Sequence, residues 1–279
     1  MAHPRPGRRA LVAGLGAMWL AGCARDSEET VEERVGAGGA ERITYGGDPS
    51  QWADLHLPDG TSRGVVVVIH GGFWRSQYDA SLGTPLAEDL VSRGWAVLNV
   101  EYRRVGNGGG FPATFDDVAA AIDLLADAGI DTSRVITMGH SAGGHLAAWA
   151  AARTRFEEWS GGVEVTHVVS QAGVLDLTTA QEQGLGGGAV DALMGAGPDH
   201  ASYDLADPTR HVPLDVPLWA VHARDDDTVP FEQATTYVEA ATAAGADATL
   251  VEVTGGHFGV IDPASQAWAS IVEVLDGIA

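Results

Sequence analysis

Short runs of apolar, largely β-branched residues alternate with helix-like segments from Tyr45 to the end of the chain, and this alternation constrains the fold most strongly. It predicts a mostly parallel sheet with helices on both faces, because parallel strands require long crossover connections. Continuous apolar runs typical of buried strands occupy residues 65–69, 96–100, 135–138, 165–169, 218–221 and 249–253. The sequence therefore predicts an α/β protein with one folded domain of roughly 235 residues.

The pattern also predicts where particular elements lie at the two ends of this domain. Residues 51–57 are expected to pair at one antiparallel edge of the sheet. Residues 112–128 have the apolar spacing of an amphipathic helix. Asp262-Pro263 is expected to open the last helix as its cap and first-turn proline. The side chains of that helix predicted to face the sheet are Trp268, Ile271, Val272 and Leu275.

The beginning of the chain has the pattern of an export signal. Three arginines precede an apolar stretch at residues 10–21, which is too short to span a bilayer core of about 30 Å. The stretch ends in Leu20-Ala21-Gly22-Cys23, which resembles the lipobox of bacterial lipoproteins, where the cysteine is lipidated and becomes the mature N-terminus. We expect residues 1–22 to be a lipoprotein signal peptide and Cys23 to anchor the protein to the outer face of the bacterial cell membrane. An ordinary secretory signal is the alternative.

Charge and composition exclude several classes of protein. Residues 23–44 are acidic, rich in Gly and without apolar periodicity, so they are expected to form a solvated tether before a folded domain at 45–279. The formal charge of -22 argues against sequence-independent binding of nucleic acid, which needs a basic surface. All 16 basic residues are arginine, so lysine-dependent hydrolases and Schiff-base enzymes are excluded.

The pentapeptide Gly139-His140-Ser141-Ala142-Gly143 has the form G-x-S-x-G and lies where a predicted strand meets an alanine-rich predicted helix. In that context the motif indicates a nucleophile elbow, a sharp turn that exposes a serine above the sheet. Glycines two positions either side leave room for the neighbouring strand and helix. We therefore predict Ser141 as a nucleophile; the alternative is a glycine-rich turn with a capping serine.

A second motif, His70-Gly71-Gly72-Phe73-Trp74-Arg75, follows the first buried strand. Together with the elbow it resembles the α/β-hydrolase superfamily, and within it the carboxylesterase and kynurenine-formamidase-like (BD-FAE-like) branch, whose loop reads H-G-G-x-W. Residues 51–58, 101–103 and 189–208 are similar to that branch's opening strand, the end of its next strand and its short cap segment. The resemblance implies an α/β-hydrolase fold. It also implies that His70 braces the loop and that three backbone N–H groups form an oxyanion hole: Gly72, Phe73 and Ala142.

The resemblance further implies the chain order serine, acid, histidine. Three adjacent aspartates follow the predicted strand at 218–221 and leave the acid open among themselves, but the family pattern H-G-x-x-D-x-x-V-P selects Asp226. Asp225 and Asp227 are expected to cap the turn or face solvent, with a calcium site as the alternative. The family's histidine loop G-x-H-F matches residues 255–258 and makes His257 the expected general base.

These residues predict a serine hydrolase that cleaves small acyl esters through an acyl-enzyme, with no metal or organic cofactor. Trp74, Tyr102 and Phe258 are expected to line the substrate pocket, although each is equally compatible with core packing. Residues 177–208, which include a run of glycines, are either a mobile lid or a plain surface loop. Two other functions remain open: an arylformamidase, favoured by the loop at 70–74, and a non-catalytic surface binding lipoprotein.

Overall fold

A computed structural model describes residues 39–278, so the predicted signal peptide, Cys23 and most of the predicted tether lie outside the described residues. Its centre is an eight-stranded sheet with the order β1-β2-β4-β3-β5-β6-β7-β8. The strands are β1 (Glu41–Thr44), β2 (Trp52–His56), β3 (Val65–Ile69), β4 (Ala96–Val100), β5 (Val135–His140), β6 (His167–Gln171), β7 (Leu218–Ala223) and β8 (Ala248–Val253).

All neighbouring pairs from β4 to β8 are parallel, and only the pairs that involve β2 are antiparallel. This confirms the predicted α/β class. The predicted strands at 65–69 and 96–100 are correct to the residue, whereas β5 and β7 continue two residues further than predicted. Those extra residues bring the chain to the edge of the sheet where loops meet, because the carboxyl ends of parallel strands share one edge.

The antiparallel edge differs from the prediction. Residues 52–56 do pair antiparallel with β4, but β1 lies outside them and forms the edge. The boundary placed at Tyr45 is therefore wrong, since β1 belongs to the sheet. Arg42 explains why this short strand holds: its guanidinium makes two hydrogen bonds to Asp54 on β2, at 2.7 and 2.8 Å, and stacks 3.4 Å over the ring of Trp52. The sequence did not reveal β1, because Glu41–Thr44 is short, mostly polar and next to an acidic, Gly-rich segment.

Helices cover both faces of the sheet. They are α1 (Thr84–Ser92), α2 (Ala113–Asp123), α3 (Ala142–Ala152), α4 (Leu177–Glu182), α5 (Leu185–Met194), α6 (Ser202–Ala206), α7 (Glu232–Ala243), α8 (Gly256–Gly259) and α9 (Gln266–Gly277). Alternate side chains of β3 belong to two separate cores. Val65 and Val67 are part of the core that includes side chains of α2, α3 and α7, and Val66 and Val68 are part of the core that includes side chains of α1 and α9. Within the part of the chain that the structure describes, no helix is both long and apolar enough to cross a membrane.

The last helix starts later than the sequence indicates. Helix α9 begins at Gln266, where the side chain of Ser265 accepts the N–H of Trp268 at 2.9 Å and serves as the cap. Asp262 instead stabilises the preceding turn by accepting the N–H of Ala264 at 2.9 Å. The predicted face is confirmed, with these side chains buried against the sheet: Trp268, Ile271, Val272 and Leu275.

Candidate active site

Ser141 occupies a strained turn between β5 and α3, with φ of 56° and ψ of -117°. A positive φ costs a residue with a side chain about 1–3 kcal/mol, so the surroundings must hold it in place. The N–H of Ser141 donates to the carbonyl of Gln171 at 2.8 Å, and its own carbonyl accepts the N–H of His145 at 3.1 Å. The predicted need for glycines is also met: a Cβ on Gly139 would lie 2.1 Å from the carbonyl oxygen of Gly143. The elbow thus presents a serine that the backbone fixes.

Ser141 and His257 line the same cavity at the carboxyl edge of the sheet, with a volume of about 80 Å³. Its walls are mainly apolar, and the lining residues are Gly72, Phe73, Tyr78, Leu82, His140, Ser141, Thr228, His257, Phe258 and Ile261. Among residues 39–278, no hydrogen bond of 3.5 Å or less joins the Ser141 hydroxyl to the imidazole. Such bonds are often long in ligand-free enzymes and tighten when substrate binds.

The carboxylate of Asp226 lies directly behind His257. Its Oδ2 atom accepts the Nδ1–H of His257 at 2.7 Å, while Oδ1 accepts the backbone N–H groups of Thr228 and Val229, each at 2.8 Å. Burial alone would raise the pKa of Asp226, but the hydrogen bonds from two imidazoles and two amides outweigh it and hold the pKa well below its usual range. The carboxylate therefore stays ionised, and the Nδ1–H tautomer leaves Nε2 of His257 free to take a proton.

His222 is the second imidazole on this carboxylate, and the sequence did not single it out. The Nε2–H of His222 is shared between Oδ2 of Asp226 at 3.1 Å and the carbonyl of Val229 at 3.0 Å. The residue is fully buried at the end of β7. Its position as the first letter of the pattern that selects Asp226 is the signal that could have revealed it. His222 and His257 therefore both bind Oδ2 of Asp226, and His222 helps to fix the carboxylate.

The side chain of His140, the residue before the nucleophile, contacts the backbone of the expected base, His257. Its Nε2–H donates to the carbonyl of His257 at 2.9 Å, and the two imidazole centres lie 4.5 Å apart. Burial, together with the neighbouring His257, lowers the pKa of His140 to about 3. His140 is therefore neutral in the ordinary pH range. It ties the loop of His257 to the elbow.

The loop after β3 has an unusual backbone. Gly72 has φ of 115°, and Phe73 and Trp74 both have φ of 54°, in the left-handed region that side chains disfavour. Within residues 39–278, the N–H groups of Gly72, Phe73 and Ala142 donate to no acceptor, and Gly72 and Phe73 line the cavity beside Ser141. A Cβ on Gly72 would lie 2.4 Å from Cβ of Tyr78, which excludes a larger residue. These free amides are suited to receive a negatively charged oxygen.

The buried side chain of His70 stabilises this loop. The Nδ1–H of His70 donates to the carbonyl of Gly71 at 2.8 Å, and its Nε2 accepts from the guanidinium of Arg104 at 3.2 Å. Its ring stacks on Tyr102 with centroids 4.4 Å apart, and the Tyr102 hydroxyl donates to the His70 carbonyl at 2.7 Å. Burial lowers the pKa of His70 to about 3, so its ring stays neutral and keeps this pattern of donors and acceptors.

The predicted substrate-pocket residues separate into two groups. Phe258 lies on the cavity rim and is 66% exposed. The prediction is wrong for Trp74 and Tyr102, which are fully buried and do not line the cavity. Trp74 points into the core, where its ring meets the edge of His145 at 5.3 Å, and Tyr102 is committed to His70. The strained backbone of the loop turns the Trp74 side chain away from the nucleophile.

The two other aspartates of the acid loop, Asp225 and Asp227, are exposed. This agrees with the prediction that they cap the turn or face solvent. Across residues 39–278, no group of three or more His, Cys, Asp or Glu side chains is arranged to hold a metal ion.

The chain is similar to known proteins in sequence and in fold. The BD-FAE family model matches residues 53–240. Esterase LipQ of Mycobacterium tuberculosis is 26% identical over 84% of this chain and 58% of its own length. Isoprenylcysteine alpha-carbonyl methylesterase ICME of Arabidopsis thaliana is 27% identical over 76% of this chain and 55% of its own length. The chain thus spans a little over half the length of these curated relatives.

Among solved structures, the Est2 esterase of Thermogutta terrifontis is similar with a TM-score of 0.70 and 22% identity. The match covers 86% of this chain and 91% of that one. At that level of identity the likeness shows the fold, which is the α/β-hydrolase fold that the two motifs imply.

Proposed function

The chain belongs to the BD-FAE family, and we propose that it is a carboxylesterase-type serine hydrolase acting on small acyl esters. One observation carries the proposal: Ser141 and His257 share a cavity with Gly72 and Phe73, whose amides have no acceptor among residues 39–278, while Asp226 holds His257 at 2.7 Å. A nucleophile, a base, an orienting acid and donors for an oxyanion are the groups that acyl transfer needs.

In the proposed reaction, Oγ of Ser141 attacks the acyl carbon while Nε2 of His257 takes the hydroxyl proton. Asp226 keeps Nδ1 protonated and stabilises the imidazolium that forms. The carbonyl oxygen becomes an oxyanion and accepts hydrogen bonds from the backbone amides of Gly72, Phe73 and Ala142. The proton on His257 then passes to the departing alcohol. A water molecule, deprotonated by the same imidazole, hydrolyses the acyl-enzyme and restores Ser141.

The size and polarity of the cavity support small, apolar acyl groups. Its volume of about 80 Å³ is well below the roughly 300–1,000 Å³ of pockets that hold drug-sized ligands. Tyr78, Leu82 and Ile261 give it an apolar wall, and Phe258 extends that wall to the rim. The names of the relatives, an esterase and a methylesterase of a prenylated cysteine, also support an ester as the scissile group.

A panel of substrates tests this function. Purified protein should hydrolyse nitrophenyl acetate and butyrate faster than the octanoate, and a fluorophosphonate should label it. Ser141→Ala should lose both properties and remain folded. Ser170→Ala is the matched control, because Ser170 is a buried serine beside the elbow that does not line the cavity. Faster turnover of N-formylkynurenine than of any ester would instead identify an arylformamidase, and a folded protein without labelling would indicate a binding protein.

We further propose that the protein is exported and anchored through lipid on Cys23. The motif Leu20-Ala21-Gly22-Cys23 at the end of a short apolar stretch supports this proposal. Stable attachment needs two or more acyl chains, and the formal charge of -22 opposes adsorption to anionic lipid, so the lipid must supply the attachment. In a bacterial host, the wild-type protein should resist extraction from membranes by salt and incorporate a labelled fatty acid. Cys23→Ser should lose the label; a soluble, unlabelled wild type would contradict the anchor.

A further inference from the structure

The oxyanion loop holds two consecutive residues in a backbone conformation that they do not favour. Phe73 and Trp74 both have φ of 54°, and each such residue costs about 1–3 kcal/mol unless its surroundings enforce it. For Trp74 the support is clear: its side chain is fully buried, and its carbonyl accepts the N–H of Val105 at 2.8 Å. Phe73 is only partly buried: it packs against the edge of the core and also lines the cavity. Its backbone conformation therefore needs support from a further segment.

That support comes from the cap segment. A glycine turn, defined here as residues 184–188, joins α4 to the regular part of α5. Four of its five residues are left-handed glycines, with φ between 58° and 78°. The remaining residue, Leu185, is buried and fixes the turn to the core. A succession of left-handed residues is open only to glycine at low cost, so the sequence of this turn is matched to its backbone.

Arg75 links the glycine turn to the oxyanion loop. Its guanidinium donates to the carbonyl of Gly186 at 2.6 Å and to the carbonyl of Gly187 at 3.3 Å. The same guanidinium lies 5.7 Å over the ring of Phe73. Arg75 also closes the loop's own turn, because its backbone N–H donates to the carbonyl of Gly72 at 3.0 Å. The side chain of Arg75 therefore joins the cap to Phe73, while its backbone N–H closes the turn at Gly72.

Gly186 provides the second contact. A Cβ at this position would lie 2.4 Å from Cδ1 of the Phe73 ring, so the ring rests directly against the backbone of the turn. Gly184 has nearly the same backbone, with φ of 64°, but no atom lies within 4 Å of the place that its Cβ would occupy. The two glycines differ in their contact with Phe73.

We propose that Arg75 and Gly186 brace the oxyanion loop against the cap, and that Arg75 is a positioning residue that aims the amide of Phe73 at the oxyanion. The cap segment is then neither a lid that opens nor a passive loop: it supports a strained part of the active site. The catalytic consequence rests on the proposed esterase function, whereas the brace itself does not.

Kinetics of matched variants test the catalytic consequence. Arg75→Met and Gly186→Ala should lower kcat for nitrophenyl acetate by about ten- to a hundredfold, because a misplaced oxyanion donor weakens binding of the transition state. KM should stay within about twofold, since the amide acts mainly on charge that develops during the reaction. Arg75→Lys, which keeps a donor but not the planar fork, should recover part of the loss.

Two controls separate positioning from general stability. Arg210 is an arginine of the same kind: it donates to the carbonyl of Pro198 at 2.8 Å and lies 5.5 Å over the ring of Tyr203, away from the oxyanion loop. Arg210→Met and Gly184→Ala should leave kcat within about twofold of wild type. Equal losses in Arg75→Met and Arg210→Met, or in Gly186→Ala and Gly184→Ala, would overturn the brace.

Hydrogen exchange tests the brace independently of any activity. Peptides covering residues 71–76 should exchange faster in Arg75→Met and Gly186→Ala than in wild type, and unchanged in both controls. If the wild-type protein cleaves no ester, the esterase function fails while the exchange result still decides the brace. Unchanged exchange in both brace variants, with kcat within twofold of wild type where the enzyme is active, would overturn it.

Discussion

The imidazole of His140 donates a 2.9 Å hydrogen bond to the backbone carbonyl of His257, so the residue before the nucleophile holds the loop that carries the base. The bond joins two segments that are 117 residues apart in the chain. Because burial and the neighbouring His257 lower the pKa of His140 to about 3, this donor is uncharged in the ordinary pH range. The hydrogen bond thus ties the histidine loop to the elbow through a donor of fixed charge.

Removing this bond should slow catalysis without weakening substrate binding. His140→Leu is expected to lower kcat by about tenfold or more, since small misplacement of a base is costly, with KM nearly unchanged. His140→Gln, whose amide N–H reaches a similar place, should retain most of the rate. Steady-state kinetics on a short acyl ester measure both variants. If Leu and Gln are equally active, the bond has no positioning role.

Substitution of the three adjacent aspartates identifies the acid. Asp226→Asn should lower kcat by about three to four orders of magnitude, because the amide cannot stabilise the imidazolium and disturbs the tautomer. Asp225→Asn and Asp227→Asn are the matched controls and should remain within about twofold of wild type, since both side chains are exposed. A larger loss in either control than in Asp226→Asn would show that the acid is misassigned.

On the acid side of the pH profile, kcat/KM should depend on the ionisation of a single group. A protonated Nε2 on His257 cannot accept the serine proton, so kcat/KM should fall with unit slope as the solution becomes acidic. Asp226 adds no second ionisation, because its pKa lies well below the usual range for a carboxyl group. Initial rates between pH 4.5 and pH 9 provide the measurement. A slope near two would mean that a second group titrates with the base, and a flat profile would exclude histidine.

Buried histidines should make the folded protein sensitive to acid. Burial lowers the pKa of His145 to about 4, whereas a histidine in an unfolded chain titrates near about 6.5. Between these values the unfolded chain binds a proton that the folded chain does not, so stability falls as the pH drops through this window. Each such histidine contributes a slope of at most about 1.4 kcal/mol per pH unit.

Urea unfolding at several pH values between 4 and 6.5 measures that slope. His145→Gln keeps an amide N–H for the carbonyl of Ala206. It should reduce the dependence of the unfolding free energy on pH by at most the contribution of one proton, even if the variant is less stable than wild type. His200→Gln is the control, because His200 is exposed, and it should leave the slope unchanged. An identical slope in all three proteins would show that His145 is not protonated on unfolding.

The sequence predicted those parts of the site that chain geometry fixes locally. A Cβ at Gly139 or Gly143 would lie only 2.0 to 2.1 Å from a backbone oxygen, so the turn at Ser141 requires glycine at both positions. The motif can therefore be recognised from the sequence alone. The buried strands were readable because both their faces are covered, which gives continuous apolar runs. Asp226 could be separated from its neighbours only by the family pattern, since three identical side chains have no local difference.

The parts that were missed depend on contacts between distant segments. Trp74 and Phe258 are both aromatic residues next to site motifs, but one is buried and the other 66% exposed. The backbone at Trp74 decides which way its side chain points, and a φ of 54° is not a property that sequence periodicity reveals. The role of His222 likewise requires knowing that the end of β7 and the loop of His257 converge on one carboxylate.

Strand β1 has a consequence for association between molecules. A chain that began at Tyr45, the boundary suggested by composition, would lack β1, and the backbone N–H and C=O groups of β2 that face β1 would be unpaired. Such an exposed edge is a template for pairing with the same edge of another molecule, and Ala53 and Leu55 would become accessible beside it. In the intact sheet, Glu41 and Arg42 place charged side chains at this border instead. The four residues that end the apparent tether thus cover backbone groups of β2 that would otherwise be open to pairing with another molecule.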